Sequence, residues 1–255
     1  MPFLNIVPAI NPIYKYRKMK IRIMIYVVII AASILFYFGR SIWKPYALKL
    51  HGYKTTEDIY QSIGQKIETA IKPKFITANA PYPPNHLTII ALKQERLLEI
   101  WTHNKNNTPV LIDTYKFTAF SGTIGPKLQA GDLQIPEGLY KIEYLNPNSS
   151  LHLSMKISYP NQFDKKMARF DNRTNLGGDI FIHGKFFTIG CIPIGDRNIE
   201  KLFILAYRVG IKNIDVIIAP YDMRIKKEPV QNSNIVWLHD KYMRIKNALQ
   251  KYTIN

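Results

Sequence analysis

Two side chains able to carry out acyl transfer stand eight residues apart: His183 and Cys191, the chain's one cysteine. A thiol attacks a carbonyl as thiolate, so it needs a neighbouring base or a positive surrounding. Imidazole, with a free pKa of about 6.5, suits that duty near neutral pH. The segment GGDIFIHGKFFTIGCIPIGD, starting at Gly177, suggests how the two meet. A β-like run from Asp179 to Ile182 delivers His183, Gly184 lets the chain turn, and Thr188, Ile189 and Gly190 lead into Cys191. Gly190 permits unusual backbone angles, and its N–H with that of Cys191 is placed to face a developing oxyanion. Thr188 either donates a hydrogen bond there or packs. The same spacing describes a satisfied core histidine near a buried cysteine, and the residues alone leave both readings open. Asp179 lies four residues from His183 along a strand, too far to orient it, which points to surface or turn duty. One cysteine and six scattered histidines contain no zinc-ligand quartet, so neither metal nor cofactor is expected.

The elements that must position this pair begin at Leu87. Short β-rich runs follow one another: LTIIAL, LLEIWT, PVLIDTY, KFTAF, LYKIEYL, LHLSMKISY and DIFIH. Turn clusters such as HNKNN, SGTIGPK, LQAGD, PEG and NPNSS separate them, a spacing that predicts an all-β sandwich or barrel rather than alternating βα units. Asp196 offers an N-cap to the helix RNIEKLFILAYRV, Gly210 closes it, and IDVIIAP forms a last strand stopped by Pro220. Tyr159 and Asn161, in the segment SYPN, either line a substrate groove or make a Pro160 turn with a packed tyrosine. Upstream, Ile59, Ile63, Ile67 and Ile71 recur every four residues in an amphipathic helix over 55–71, with Thr55 and Asp58 resembling a capping box. Residues 72–86 hold four prolines and read as a linker, and the tail WLHDKYMRIKNALQKY reads as a peripheral helix.

The N-terminus speaks to compartment. Residues 23–38 carry no charge, and the segment extended to 43 approaches the roughly 20 residues needed to cross a bilayer. Lys15, Arg17, Lys18, Lys20 and Arg22 precede it, and no acidic residue occurs before Glu57. The positive-inside rule keeps that end cytoplasmic and exports the remainder. A cleaved signal peptide is the second reading, although FYFGRS fits a small-x-small site poorly, and a core helix with five cations on its leading edge is the third. The resulting division is a basic N-terminus over 1–22, an anchor over 23–43, a helix and linker over 44–86, a catalytic domain over 87–220 and a C-terminal extension over 221–255.

Charge narrows the partners. The chain has 35 Lys and Arg against 18 Asp and Glu, a formal +17. After residue 44 the balance is 28 against the same 18, or +10, which suits an anionic wall polymer or lipid headgroups as well as plain solvation. Nucleic acid is not expected: the chain shows no zinc-finger spacing, basic zipper or RNA-recognition aromatic signature. A lone cysteine forms no intramolecular disulfide, and an unpaired thiol in an exported chain is more informative than one in the cytoplasm.

Beyond the pair itself, IHGKFFTIGC resembles the signature of the L,D-transpeptidase catalytic domain of the YkuD type, in its YafK-like branch. The resemblance runs over about 87–220 and includes the PEGLY segment (136–140), SYPN, GGDIFIHG and the IGD turn with its following helix. It implies an L,D-transpeptidase-like β-sandwich with a few peripheral helices behind a transmembrane anchor, using Cys191 as nucleophile and His183 as base. Gly184, Gly190 and Thr188 match positions that shape the loop and oxyanion site. Most members have Ser-His-Gly-Cys where this chain has Thr188-Ile189-Gly190-Cys191, so Ile189 supplies no second imidazole; the YafK-like branch shares the change and is associated with removing protein from peptidoglycan as well as with cross-linking. The implied partner is peptidoglycan, with any protein attached to it, and the implied location is the periplasmic side of the inner membrane. The rival classes are a catalytically silent peptidoglycan-binding module and an envelope scaffold using its terminal helices.

Overall fold

The computed structural model describes residues 12–40, 42, 43, 46, 52–225 and 234–253, with side chains from Met19 onward. Residues 1–11 of the expected cytoplasmic segment, most of 44–51 and residues 226–233 of the C-terminal extension lie outside the described residues. The chain divides into one unit up to Tyr53 and a second from Lys54. The first holds helix α1 (Pro12–Phe38), in which Met19–Phe38 is apolar and has no buried share. Twenty helical residues span about 30 Å, the thickness of a bilayer's hydrocarbon core.

The second unit is mainly β, as expected. Its strands are β1 (Leu87–Leu92), β2 (Leu97–His103), β3 (Pro109–Lys116), β4 (Gly138–Asn146), β5 (Ser154–Ile157), β6 (Phe181–His183), β7 (Ile192–Pro193) and β8 (Ile214–Ala219). They join in the order β3-β2-β1-β8-β4-β5-β6-β7. Among the described strands only β1–β8 and β6–β7 run parallel. Register shifts at Ile100/Trp101 and Ile142/Tyr144 mark irregularities of the kind that bend a sheet. KFTAF is not a strand, and LHLSMKISY contributes only its four residues Ser154–Ile157.

Strand β1 is buried at all six positions because it is covered on both faces. Leu87, Ile89 and Ala91 join one apolar cluster, Ile90 and Leu92 the other, which accounts for an unbroken apolar run in place of alternation. On the first face lie α2 (Thr56–Thr77) and α4 (Asp196–Val209). Helix α2 starts at the Thr55–Asp58 capping box and buries Ile59, Ile67, Ile71 and Phe75. The expected linker is therefore corrected: 72–77 continue the helix through Pro73, and Phe75 is fully buried. Packing outweighs the roughly 3 kcal/mol a proline costs inside a helix, since burying a phenylalanine side chain recovers about 1.5–3 kcal/mol and the rest of the turn adds to it.

On the second face lies α5 (Leu238–Leu249), whose Leu238, Tyr242, Ile245 and Leu249 pack with Ile90, Leu92, Trp101 and Ile217. The tail is thus a layer of the core and not peripheral. A further helix, α3 (Gln162–Phe170), was not legible as one.

Candidate active site

His183 closes β6 and Cys191 immediately precedes β7. The parallel register pairs Ile182 with Ile192 and His183 with Pro193, so base and thiol sit on neighbouring strands two register steps apart. The Phe181 N–H donates to Cys191 Sγ at 3.4 Å, and the thiol donates to the Asp179 carbonyl at 3.7 Å. Of the surface or turn duty expected of Asp179 the structure shows the surface one: its φ is +54°, and its exposed carboxylate pairs with Lys156 at 3.0 Å.

His183 is fully buried, and its Nδ1 lies 2.5 Å from the Gly184 carbonyl. A carbonyl oxygen only accepts, so Nδ1 carries the proton and Nε2 keeps its lone pair. Nε2 is buried and has no hydrogen-bond partner. Burial lowers the imidazole pKa, partly offset by the Gly184 carbonyl. Burial raises the Cys191 thiol, with the Phe181 N–H and the charge of Lys127 pulling it down and Asp179 pushing it up. Both shifts favour the uncharged forms of imidazole and thiol.

The loop between them is pinned at Lys185, just after the base. Asp196 accepts from the Lys185 N–H at 2.8 Å and from Lys185 Nζ at 2.5 Å, while Thr118 Oγ1 donates to the Lys185 carbonyl at 2.6 Å. The expected N-cap role of Asp196 is corrected here: Gly195 is the cap, without a side-chain bond, and Asp196 instead holds the site loop. Gly184 is required by close approach. A Cβ there would lie 2.6 Å from Asp196 Oδ1 and 2.9 Å from the Leu151 carbonyl oxygen. Gly190 has φ +129°, and its Cβ would lie 3.2 Å from the Gln134 carbonyl oxygen.

Thr188 does more than pack. Its Oγ1 accepts from the N–H groups of Gly190 (3.2 Å) and Cys191 (2.9 Å) and donates to the Cys191 carbonyl (2.8 Å). The two N–H groups expected to face an oxyanion are thus held by Thr188 in this conformation. Phe186, Phe187 and Ile189 point outward from the same loop, each more than 60% exposed.

Of the two readings of Tyr159, the structure shows the packed tyrosine, and half-buried Asn161 has a capping role. Tyr159 is buried with its hydroxyl donating to the Leu176 carbonyl at 3.0 Å, and Asn161 caps α3, reciprocally bonded with Asp164. Residues 117–137, between β3 and β4, form a wall against the nucleophile loop, where the Gln134 carbonyl lies against Gly190. In it Asp132 accepts from the N–H groups of Leu128, Gln129 and Gln134 and from Lys127 Nζ. These bonds hold its carboxyl below the usual range against the opposing effect of burial. Lys127 and Asp196 went unrecognised as site residues; the sequence marks them only as members of turn segments. Among the described residues no cluster of His, Cys, Asp and Glu is arranged to hold a metal ion.

The family description "L,D-transpeptidase catalytic domain" (YkuD) matches residues 86–218, more than half of the 255. The protein named YafK of Escherichia coli strain K12 is 29% identical over 153 residues, 57% of this chain and 59% of that protein, and the same protein of E. coli O157:H7 matches equally. The match therefore spans less than two thirds of the curated relatives' length. Among solved structures, the helical cell shape determining protein Pgp2 of Campylobacter jejuni matches with TM-score 0.43 and 24% identity over 60% of this chain and 54% of that one. Bd1075 of Bdellovibrio bacteriovorus matches with TM-score 0.40 and 20% identity over 65% and 55%.

Proposed function

The chain belongs to the L,D-transpeptidase catalytic domain family, and from that premise we propose that it is a cysteine-dependent acyl-transfer enzyme acting on peptidoglycan stem peptides. The observation that carries this reading is the buried His183, its proton committed to Gly184 through Nδ1 and its Nε2 left free one strand from the lone thiol. An unsatisfied buried polar atom costs about 1–3 kcal/mol, and a general base is a group that must be kept unpaired until it works.

Nε2 takes the thiol proton as Sγ attacks the carbonyl at the L-centre of a diamino-acid residue. The proton passes to the leaving amine, which is D-alanine or a lysine side chain of an attached protein, and a thioester remains. A second amine resolves it in transpeptidation, and water resolves it in hydrolysis. The N–H groups of Gly190 and Cys191 serve the tetrahedral oxyanion once Thr188 Oγ1 releases them. Because the thiol is raised and the imidazole lowered, proton transfer accompanies attack and no thiolate–imidazolium pair is stored beforehand.

In the same proposal α1 anchors the chain in the inner membrane, with Lys15 to Arg22 on the cytoplasmic side and the catalytic unit in the periplasm; cleavage of this segment is the second arrangement. The test incubates detergent-solubilised full-length protein, wild type beside Cys191→Ala, with intact sacculi and analyses both fractions by mass spectrometry. Cysteine-dependent new stem-to-stem links identify transpeptidation, and cysteine-dependent release of D-alanine or protein without new links identifies hydrolysis. Identical products from both proteins, with sacculus binding retained, would replace the enzyme reading by a binding module.

A further inference from the structure

The family match ends at residue 218, yet buried charges inside the matched region find their partners beyond it. Asp164, buried near the start of α3, receives Lys241 Nζ of α5 at 2.7 Å, a pair with both side chains about 5% exposed or less. Its other oxygen accepts from the Tyr140 hydroxyl (3.1 Å) and the Asn161 N–H (3.1 Å). Glu137, fully buried at the end of the 117–137 wall, receives the Tyr242 hydroxyl of α5 at 2.7 Å. Its second oxygen takes Lys93 Nζ and the Gly125 N–H, both at 2.8 Å, so one carboxylate ties the middle and end of the wall to α5. Just ahead of α5, Trp237 Nε1 donates to Asp171, the C-cap of α3, at 2.7 Å.

Both strips gripped in this way reach the thiol. The first includes Gln134, whose carbonyl lies against Gly190, and Lys127, whose charge is felt at Cys191. The second runs from α3 to Asp179 and Phe181, which hold Sγ directly. The strips are bonded to each other through the Ala130 N–H to the Asn175 carbonyl (3.0 Å) and Arg173 to the Leu128 carbonyl (2.8 Å). A buried ion pair contributes little to net stability, whereas losing one partner of it is expensive, so such pairs act mainly to hold one arrangement.

We infer that Lys241 and Tyr242 of the C-terminal helix are positioning residues for the nucleophile, holding from behind the two strips that enclose the Cys191 thiol. The catalytic unit accordingly includes α5. This assignment rests on the reading of Cys191 as the reactive thiol, but its test needs no peptidoglycan.

The measurement is the pH dependence of Cys191 alkylation by iodoacetamide in the full chain, with a melting curve for each variant. Tyr242→Phe removes one hydroxyl. Lys241→Met alone strands the Asp164 carboxylate and risks the fold, so it is paired with Asp164→Asn, which keeps an acceptor for Asn161. Asp240→Asn, in an exposed pair with Arg244 on the same helix, is the control. Burial is what raises the thiol, so loosened strips admit water and move the alkylation midpoint down by half a unit or more, about threefold faster alkylation at pH 7. A merely structural role moves the melting curve and leaves the midpoint where it was. Folded Tyr242→Phe and Lys241→Met/Asp164→Asn proteins with wild-type midpoints overturn the inference, as does an equal shift in Asp240→Asn. A shifted midpoint in a chain without cysteine-dependent products keeps the inference and rejects the proposed activity.

Discussion

At the residue scale, the chemistry depends on two shifts of opposite sign. Burial raises the Cys191 thiol and lowers His183, so the folded pair is neutral where an activated cysteine would be charged. Alkylation of wild-type Cys191 is expected to titrate above the about 8.5 of a free cysteine; a midpoint near 6 would show a stored thiolate and reverse the order of steps proposed here. His183→Gln is expected to lower turnover by about 100-fold or more, the usual contribution of a general base. Thr188 offers a sharper comparison. Its three hydrogen bonds need a hydroxyl and no methyl, so Thr188→Ser should keep the wild-type melting temperature, while the nearly isosteric Thr188→Val leaves the Gly190 and Cys191 N–H groups and the Cys191 carbonyl without their partner and lowers it. Equal melting temperatures in the two variants would reduce Thr188 to packing.

At the element scale, the site is built from connections more than from strands. The β6–β7 loop is fixed by Asp196 at the start of α4, and the Gly184 position leaves no room beside that carboxylate. Gly184→Ala places a methyl group against a backbone oxygen and is expected to destabilise by about 1–3 kcal/mol, read as a lowered denaturant midpoint. Helix α2 belongs to the same unit, since Phe75 is fully buried in the cluster that also contains the β6 residue Ile182. Phe75→Ala is expected to cost about 3–5 kcal/mol, whereas a true linker residue would tolerate the change. The periodicity of isoleucines revealed the start of this helix but not its end, because its last turn contains Pro73 and is held by tertiary packing.

At the scale of the whole molecule, the C-terminal segment closes the second face of the sheet. Arg224 binds both oxygens of buried Glu99 (3.0 and 2.8 Å) as well as Asp222, and Trp101 packs edge-on to Tyr252. Ending the chain at residue 220 would expose Ile90, Leu92 and Trp101 and leave Glu99 and Asp164 without their cations, so that truncation is expected to yield aggregated protein. Stability should also depend on acid through His183. Its folded pKa is depressed, so the unfolded chain binds the extra proton first; this contribution is complete above about 6.5 and is lost as pH falls below it. His183→Gln should therefore flatten part of the acid limb of a stability–pH curve, and an unchanged limb would count against a neutral buried imidazole.

The sequence by itself determined what rests on local pattern. The apolar runs of β1 and β8, the Thr55–Asp58 cap, the Gly210 stop on α4 and the length of the N-terminal apolar segment follow from periodicity, side-chain chemistry and backbone freedom within a few residues. The His183–Cys191 pair was likewise visible, since residue type and loop length suffice to suggest it. Only the tertiary structure decided which residues enclose that pair. Lys127, Asp196 and Lys241 are polar residues in turns or on a helix face, indistinguishable in sequence from solvated ones until partners 5, 11 and 77 positions away are brought to them. Tyr159 and Asn161 carried two readings in sequence, and the structure shows a packed tyrosine and a helix cap, because burial and capping are settled by what packs around a residue. The Lys241–Asp164 pair arises from chain closure over 77 positions, which no local window records, and the two nearer pairs depend on how their turns are folded.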